Sequence, residues 1–179
     1  MDNGLIPRRY AKALYKFASE KGETKEIYDL SKQLIAEFQA NPELQKVLSN
    51  PYVGNDDKEK LLLAAAGDKK NDVFHRFVLL ILSQKRVGFA YAMMLAYRDI
   101  YRKENHISQA RITTASKLDE ARMKKLRQLV SQAFKDTQLE FTESVDPALI
   151  GGFLIDVDSV RMDASLSNEL EQLRQTLLS

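Results

Sequence analysis

Apolar positions recur at helical spacing through the first hundred residues and at strand spacing after them. From Ile6 to Lys21, Tyr10, Ala11, Ala13, Leu14, Tyr15, Phe17 and Ala18 follow the helical period, and Gly22 stops the run as a C-terminal cap would. A second helix, about Lys25 to Gln39, carries Ile27, Leu30, Leu34, Ile35 and Phe38 on one face. Asn41-Pro42-Glu43 supplies a cap, a proline at the first helical position and an acid in the first turn, so a third short helix starts there and ends at Asn50-Pro51. Asn55 is placed as the cap of a fourth helix, with Asp56 and Asp57 at the positive end of its dipole and Gly67 at its close. A fifth helix runs from about Asp72 to Lys85 and a sixth from about Val87 to Glu104. The expectation is an all-α six-helix bundle.

After Asn105 the period shortens. Ile107, Ala110, Ile112 and Thr114 read as a strand. Asp119 then caps a helix striped by Met123, Leu126, Leu129, Val130 and Phe134. Leu139 to Val145 alternates as a half-buried strand does, Gly152 to Val157 is another, and Val160 to Met162 is a short third. Ser165 to Leu178 closes the chain as a helix with Leu166, Leu170, Leu173 and Leu177. Residues 105–179 thus predict a small C-terminal α+β module, joined to the bundle of residues 1–104 through the end of the sixth helix.

Composition narrows the function classes. At 179 residues, with 44% apolar and 29% charged content, the chain is an ordinary globular protein. It has no cysteine, which removes disulfides and thiolate metal sites. No apolar segment follows Arg8 and Arg9 as a signal peptide requires, and the longest apolar run, Phe77 to Leu82, is far too short to span a bilayer. Residues 1–104 hold 18 Lys/Arg and 14 Asp/Glu, whereas residues 105–179 hold 9 and 11. The asymmetry suggests modules facing different partners, and the absence of a dense basic stripe argues against nucleic acid.

Candidate chemistry is sparse. His75 and His106, the two histidines, fall in different modules, so neither a histidine metal site nor a triad has support. Asp146, Asp156, Asp158 and Asp163 cluster in sequence, but strand ends and turns recruit Asp for capping. Gly151-Gly152 fits no phosphate-loop spacing and suits a bulge or close backbone approach. The expectation is no catalytic residue, no metal and no cofactor. What the helices do have is surplus apolar surface. The first is apolar on two adjoining faces, Tyr10/Leu14/Phe17 and Ala11/Tyr15/Ala18, and the fifth is apolar nearly all round from Val73 to Leu82. Such a helix is either central in its own bundle or one wall of a groove for a partner's amphipathic helix.

Five segments in order carry a resemblance. They are Tyr10-Ala11-Lys12-Ala13-Leu14; Asn50-Pro51 followed by Lys58 and Leu61-Leu62; Phe77, Leu79-Leu80 and Arg86; Thr113-Thr114-Ala115 with Leu118; and Asp146-Pro147-Ala148-Leu149-Ile150-Gly151-Gly152. Together they resemble the delta subunit family of F-type ATP synthase, bacterial counterpart of the mitochondrial oligomycin-sensitivity-conferring protein. Asp163-Ala164-Ser165-Leu166 stands where the family more often shows Asp-Gly-Ser-Val, which raises the question of the local backbone, since Ala disfavours positive φ. The resemblance implies a non-catalytic stator subunit that joins the catalytic alpha/beta hexamer to the peripheral stalk. It implies that the bundle takes the N-terminal helix of an alpha subunit in a groove between helices one and five, lined by Tyr10, Ala13, Leu14, Phe17, Phe77, Leu80 and Ile81. It gives Asp146, Pro147, Leu149, Ile150, Gly151, Gly152, Asp163 and Ser165 a structural role. The C-terminal module is implied to engage the stalk's b subunits, with membrane contact only through the complex, at the cytoplasmic face of a bacterial membrane. The alternative from another class is a helical adaptor or regulator binding a different partner's helix.

Overall fold

The structure is a computed structural model and describes residues 4–67, 71–134 and 137–178. The chain divides into two compact units, Met1–Glu104 and Asn105–Ser179.

The first unit is helical. Its described residues form α1 (Leu5–Lys21), α2 (Thr24–Ala40), α3 (Pro42–Ser49), α4 (Asn55–Ala65), α5 (Asp72–Ser83) and α6 (Ala90–Glu104). α1 ends at Gly22, whose φ of 73° lets its N–H and that of Glu23 return to Ala18 and Ser19 carbonyls. Two boundaries differ from the expected ones. Gly54, not Asn55, occupies the cap position of α4, and Asn55 is its first helical residue. Asn41 occupies the cap position of α3 as expected, but its side chain makes no capping hydrogen bond, its amide donating to Glu37 Oε2 at 3.2 Å. The fifth helix stops at Ser83, since Lys85 takes a left-handed φ of 54°, and Val87–Phe89 forms a 3-10 turn before α6.

α1 and α2 both pack along α6. Their seam is Ala11, Leu14 and Ala18 on α1, Ile27, Leu30 and Leu34 on α2, and Met93, Met94 and Tyr97 on α6, all buried. Tyr97 is wholly enclosed; its hydroxyl donates to the Thr24 carbonyl at 3.0 Å, and burial raises its pKa far above the phenol range. α5 completes the core with Val73, Phe74, Phe77, Val78, Ile81 and Leu82. Buried Asn71 holds it in place. Its Oδ1 accepts from Phe74 N at 2.8 Å, and its Nδ2 donates to Glu23 and Glu26 at the start of α2.

The second unit is a four-stranded sheet in the order β2-β1-β3-β4, with strands β1 (Ile107–Thr114), β2 (Gln138–Val145), β3 (Gly152–Val157) and β4 (Val160–Ser165). β1 and β2 are parallel, linked through α7 (Glu120–Ala133), and β1-β3 and β3-β4 are antiparallel. A parallel pair needs a crossover, and α7 provides it. Asp119 caps α7 by accepting from Arg122 N at 2.7 Å. β4 runs three residues beyond the expected Met162, because each is paired in register with β3 as far as Gly152↔Ser165. The core consists of Ala110, Ile112, Met123, Leu126, Val130, Ile155 and Val157 between α7 and one sheet face. The final helix, α8 (Leu166–Leu178), touches β4 and the 3-10 turn at Pro147–Leu149.

Candidate interaction surfaces

The segment from Asp146 to Ser165 is a backbone lock. Asp146 accepts from Ala148 N at 3.0 Å and so starts the 3-10 turn. Ile150 follows with φ 65°, an unusual conformation for a β-branched residue, and Gly151 N returns to Leu149 O. Gly152 has φ 76°, and a Cβ there would fall on the carbonyl oxygen of Ala164, well inside contact distance. A Cβ on Gly151 would meet the movable end of the Leu166 side chain at 2.5 Å. Of the two glycines, Gly152 is therefore the one the backbone requires. Gly151 O accepts from Leu166 N at 3.0 Å, Asp163 Oδ1 from Ser165 N at 2.9 Å, and Ser165 Oγ from Asn168 N at 3.2 Å, so the start of α8 is tied to the start of β3. The Ser165 hydrogen bonds hold the Asp163 carboxyl below its usual pKa. Ala164 sits in extended β4 with no positive φ, so the departure from glycine there is accommodated without strain.

The four clustered carboxylates are accounted for in this way. Asp146 and Asp163 cap turns, Asp156 pairs with Arg161 at 2.6 Å, and Asp158 accepts from Gln109 N at 3.3 Å. His75 meets Glu59 at 2.8 Å, and His106 sits at a turn with φ 52°. Among the described residues no group of three or more His, Cys, Asp or Glu could hold a metal ion.

Apolar surface, by contrast, is available on both units. On the helical unit, α1 contacts α5. Tyr10 and Phe17 are half-buried, Ala13 is exposed, and Leu80 of α5 is 46% exposed. Leu14, Phe77 and Ile81 are buried in the bundle, so they can support a surface on this side but present almost none themselves. On the α+β unit, a groove of about 200 Å³ runs between α7 and the β3-β4 hairpin, lined by apolar side chains including Phe134, Phe153 and Ile155. Its rim shows Leu129, expected in the helical stripe but 62% exposed, together with Val160 and Met162. α8 adds Leu166, Leu170 and Leu173, a single i, i+4, i+7 stripe whose last member is 60% exposed. Periodicity marked these leucines as one face, but it carried no signal that the face would lie open.

A six-helix unit followed by a small α+β unit, each with uncovered apolar surface, is a fold class with known members. The family model for the ATP synthase delta (OSCP) subunit matches residues 6–177. Among curated proteins, the chain is 37% identical over 177 residues to ATP synthase subunit delta of Phocaeicola vulgatus, covering 98% of this chain and 95% of that one. It is 38% identical over 178 residues to that of Parabacteroides distasonis, covering 99% and 98%, and 31% identical over 168 residues to that of Prochlorococcus marinus, covering 94% and 93%. Among solved structures, it superimposes with a TM-score of 0.70 at 20% identity on a chain of the Toxoplasma gondii mitochondrial ATP synthase hexamer, covering 97% and 98% of the two chains. The chain belongs to the ATP synthase delta (OSCP) subunit family.

Proposed function

We propose that this protein is a non-catalytic stator subunit. It links the catalytic alpha/beta hexamer of an F-type ATP synthase to the b subunits of the peripheral stalk, so that proton-driven rotation is coupled to ATP synthesis. The observation that carries the reading is a family match along nearly the whole chain, combined with separate apolar surfaces on its two units. A joint that resists torque needs two independent contacts with slow dissociation, and desolvated apolar anchors are the usual source of that energy.

The helical unit takes the N-terminal helix of an alpha subunit along α1 and α5, where Tyr10, Ala13, Phe17 and Leu80 offer surface over the buried Leu14, Phe77 and Ile81. The α+β unit takes the stalk through the leucine stripe of α8 and the groove beside α7. No helix among the described residues is long and apolar enough to cross a membrane. The protein sits on the cytoplasmic side of a bacterial membrane, reaching it only through the complex, and the bacterial relatives support that placement.

Titration with a synthetic alpha-subunit N-terminal helix tests the first contact. Tyr10→Asp and Leu80→Asp each place a charge where an apolar anchor packs, which costs at least ~2 kcal/mol, about thirtyfold in affinity. Both variants keep a native far-UV spectrum, because neither residue is fully buried. Normal binding by both folded variants would move the contact elsewhere.

A further inference from the structure

One depression on the helical unit lies away from α5. It lies between α1 and α6 and encloses about 690 Å³. α1 reaches it with Arg8, Lys12 and Tyr15, whereas Tyr10, Ala13 and Phe17 project from the opposite flank of the buried Ala11/Leu14/Ala18 seam. The two surfaces therefore share α1 but use different sides of it.

The shape argues for a helix as occupant. The α6 wall runs from Ala92 to Glu104, about 18 Å at the helical rise, which matches three turns of a partner helix and exceeds a small metabolite. Ala92 and Ala96, one turn apart, form a low trough beside half-buried Leu95 and Ile100, the arrangement that lets two helix backbones approach closely. A trough between two helices is concave, which fits a helix better than the flat surface of a bilayer.

The charges state which helix. From Leu5 to Ser19, α1 carries Arg8, Arg9, Lys12 and Lys16 and no carboxylate. Arg8 and Lys12 stand exposed on the rim. Across the groove Lys103 adds a third cation, set against Asp99 and Glu104, and Asp99 already has Arg98 at 3.6 Å. The α1 side is thus uniformly basic, and the α6 side is mixed.

We propose that the α1–α6 groove is a second helix-docking site, which takes an amphipathic helix of another polypeptide with acidic residues on the flank that faces α1. This goes beyond the α1–α5 contact and does not depend on it. The probes are two fluorescein-labelled 18-residue amphipathic peptides with the same Leu/Ala stripe, one flanked by Glu and one by Lys, titrated into the full chain by anisotropy. The Glu peptide should bind at least tenfold more tightly than the Lys peptide. Arg8→Glu with Lys12→Glu should invert that preference, with an unchanged far-UV spectrum because both residues are exposed. Leu80→Asp should leave Glu-peptide binding unchanged, while the alpha-subunit helix loses affinity to Leu80→Asp and not to the double reversal. Equal binding of the two peptides, or indifference of the Glu peptide to the double reversal, would overturn the proposal. Loss of the Glu peptide on Leu80→Asp alone would place it at the α1–α5 surface and overturn it equally. Capture by phosphatidylserine vesicles that depends on Arg8 and Lys12, without peptide binding, would reassign the basic rim to a membrane.

Discussion

The two units spend their leucines differently. In the helical unit the apolar stripes meet each other, with α1 and α2 closing on Met93, Met94 and Tyr97 of α6, and α5 packing against α1 and α4 while scattered positions such as Leu79 and Leu80 stay open. In the α+β unit a seven-residue core seals one sheet face against α7, and α8 stands beside it with Leu166, Leu170 and Leu173 in solvent. Burying a leucine contributes about 1.5–3 kcal/mol. The helical unit has gained most of that energy internally, while the α8 leucines have gained little of it in the free chain. A finished core beside an unfinished helix is what distinguishes a folding surface from a docking surface.

Substitutions at matched apolar positions break or sharpen that contrast. Phe74→Ala, in the buried face of α5, should lower stability by about 3–5 kcal/mol in urea denaturation, whereas Leu173→Ala in α8 should change it by less than about 0.5 kcal/mol. Comparable losses would mean that α8 is packed in the free protein. Gly152→Ala comes next. A Cβ at positive φ driven onto the Ala164 carbonyl should cost about 2–4 kcal/mol and appear as faster hydrogen exchange in β3 and β4, with α1 to α6 unaffected. The smallest effect is titration of Asp163. Its pKa is lowered in the folded state, so its contribution is present above the unfolded carboxylate value and is lost as pH falls through the folded one. The α+β unit should therefore lose a little stability as pH falls through that range, and Asp163→Asn should flatten its pH profile.

How much of this was readable beforehand depends on where the cause lies. Local causes were legible: Gly22 stops α1, Asp119 caps α7, and the change of period after Asn105 marks where helices give way to strands. Causes that lie across the fold were not. Asn71 owes its burial to Glu23 and Glu26, 48 and 45 residues away, and no spacing near Asp72 announces that. Ile150 takes a backbone conformation its side chain disfavours, so residue preference pointed away from it. The two glycines read alike, yet Gly152 is fixed by the Ala164 carbonyl across the hairpin and Gly151 only by a leucine tip. Helical periodicity gave the apolar faces of α1, α5, α7 and α8 alike. It could not separate Leu14 and Ile81, which are covered, from Leu80, Leu129 and Leu173, which are not. Exposure is a property of the assembled elements.

The most direct test of the central claim asks whether one chain holds both neighbours at once through different surfaces. Sedimentation of the full chain with a tagged alpha-subunit N-terminal helix and a soluble fragment of the stalk b subunits should give a single ternary species. Leu80→Asp should release only the alpha helix, and Leu170→Asp with Leu173→Asp should release only the b fragment. Mutually exclusive binding of the two, or loss of both from either folded variant, would contradict the account.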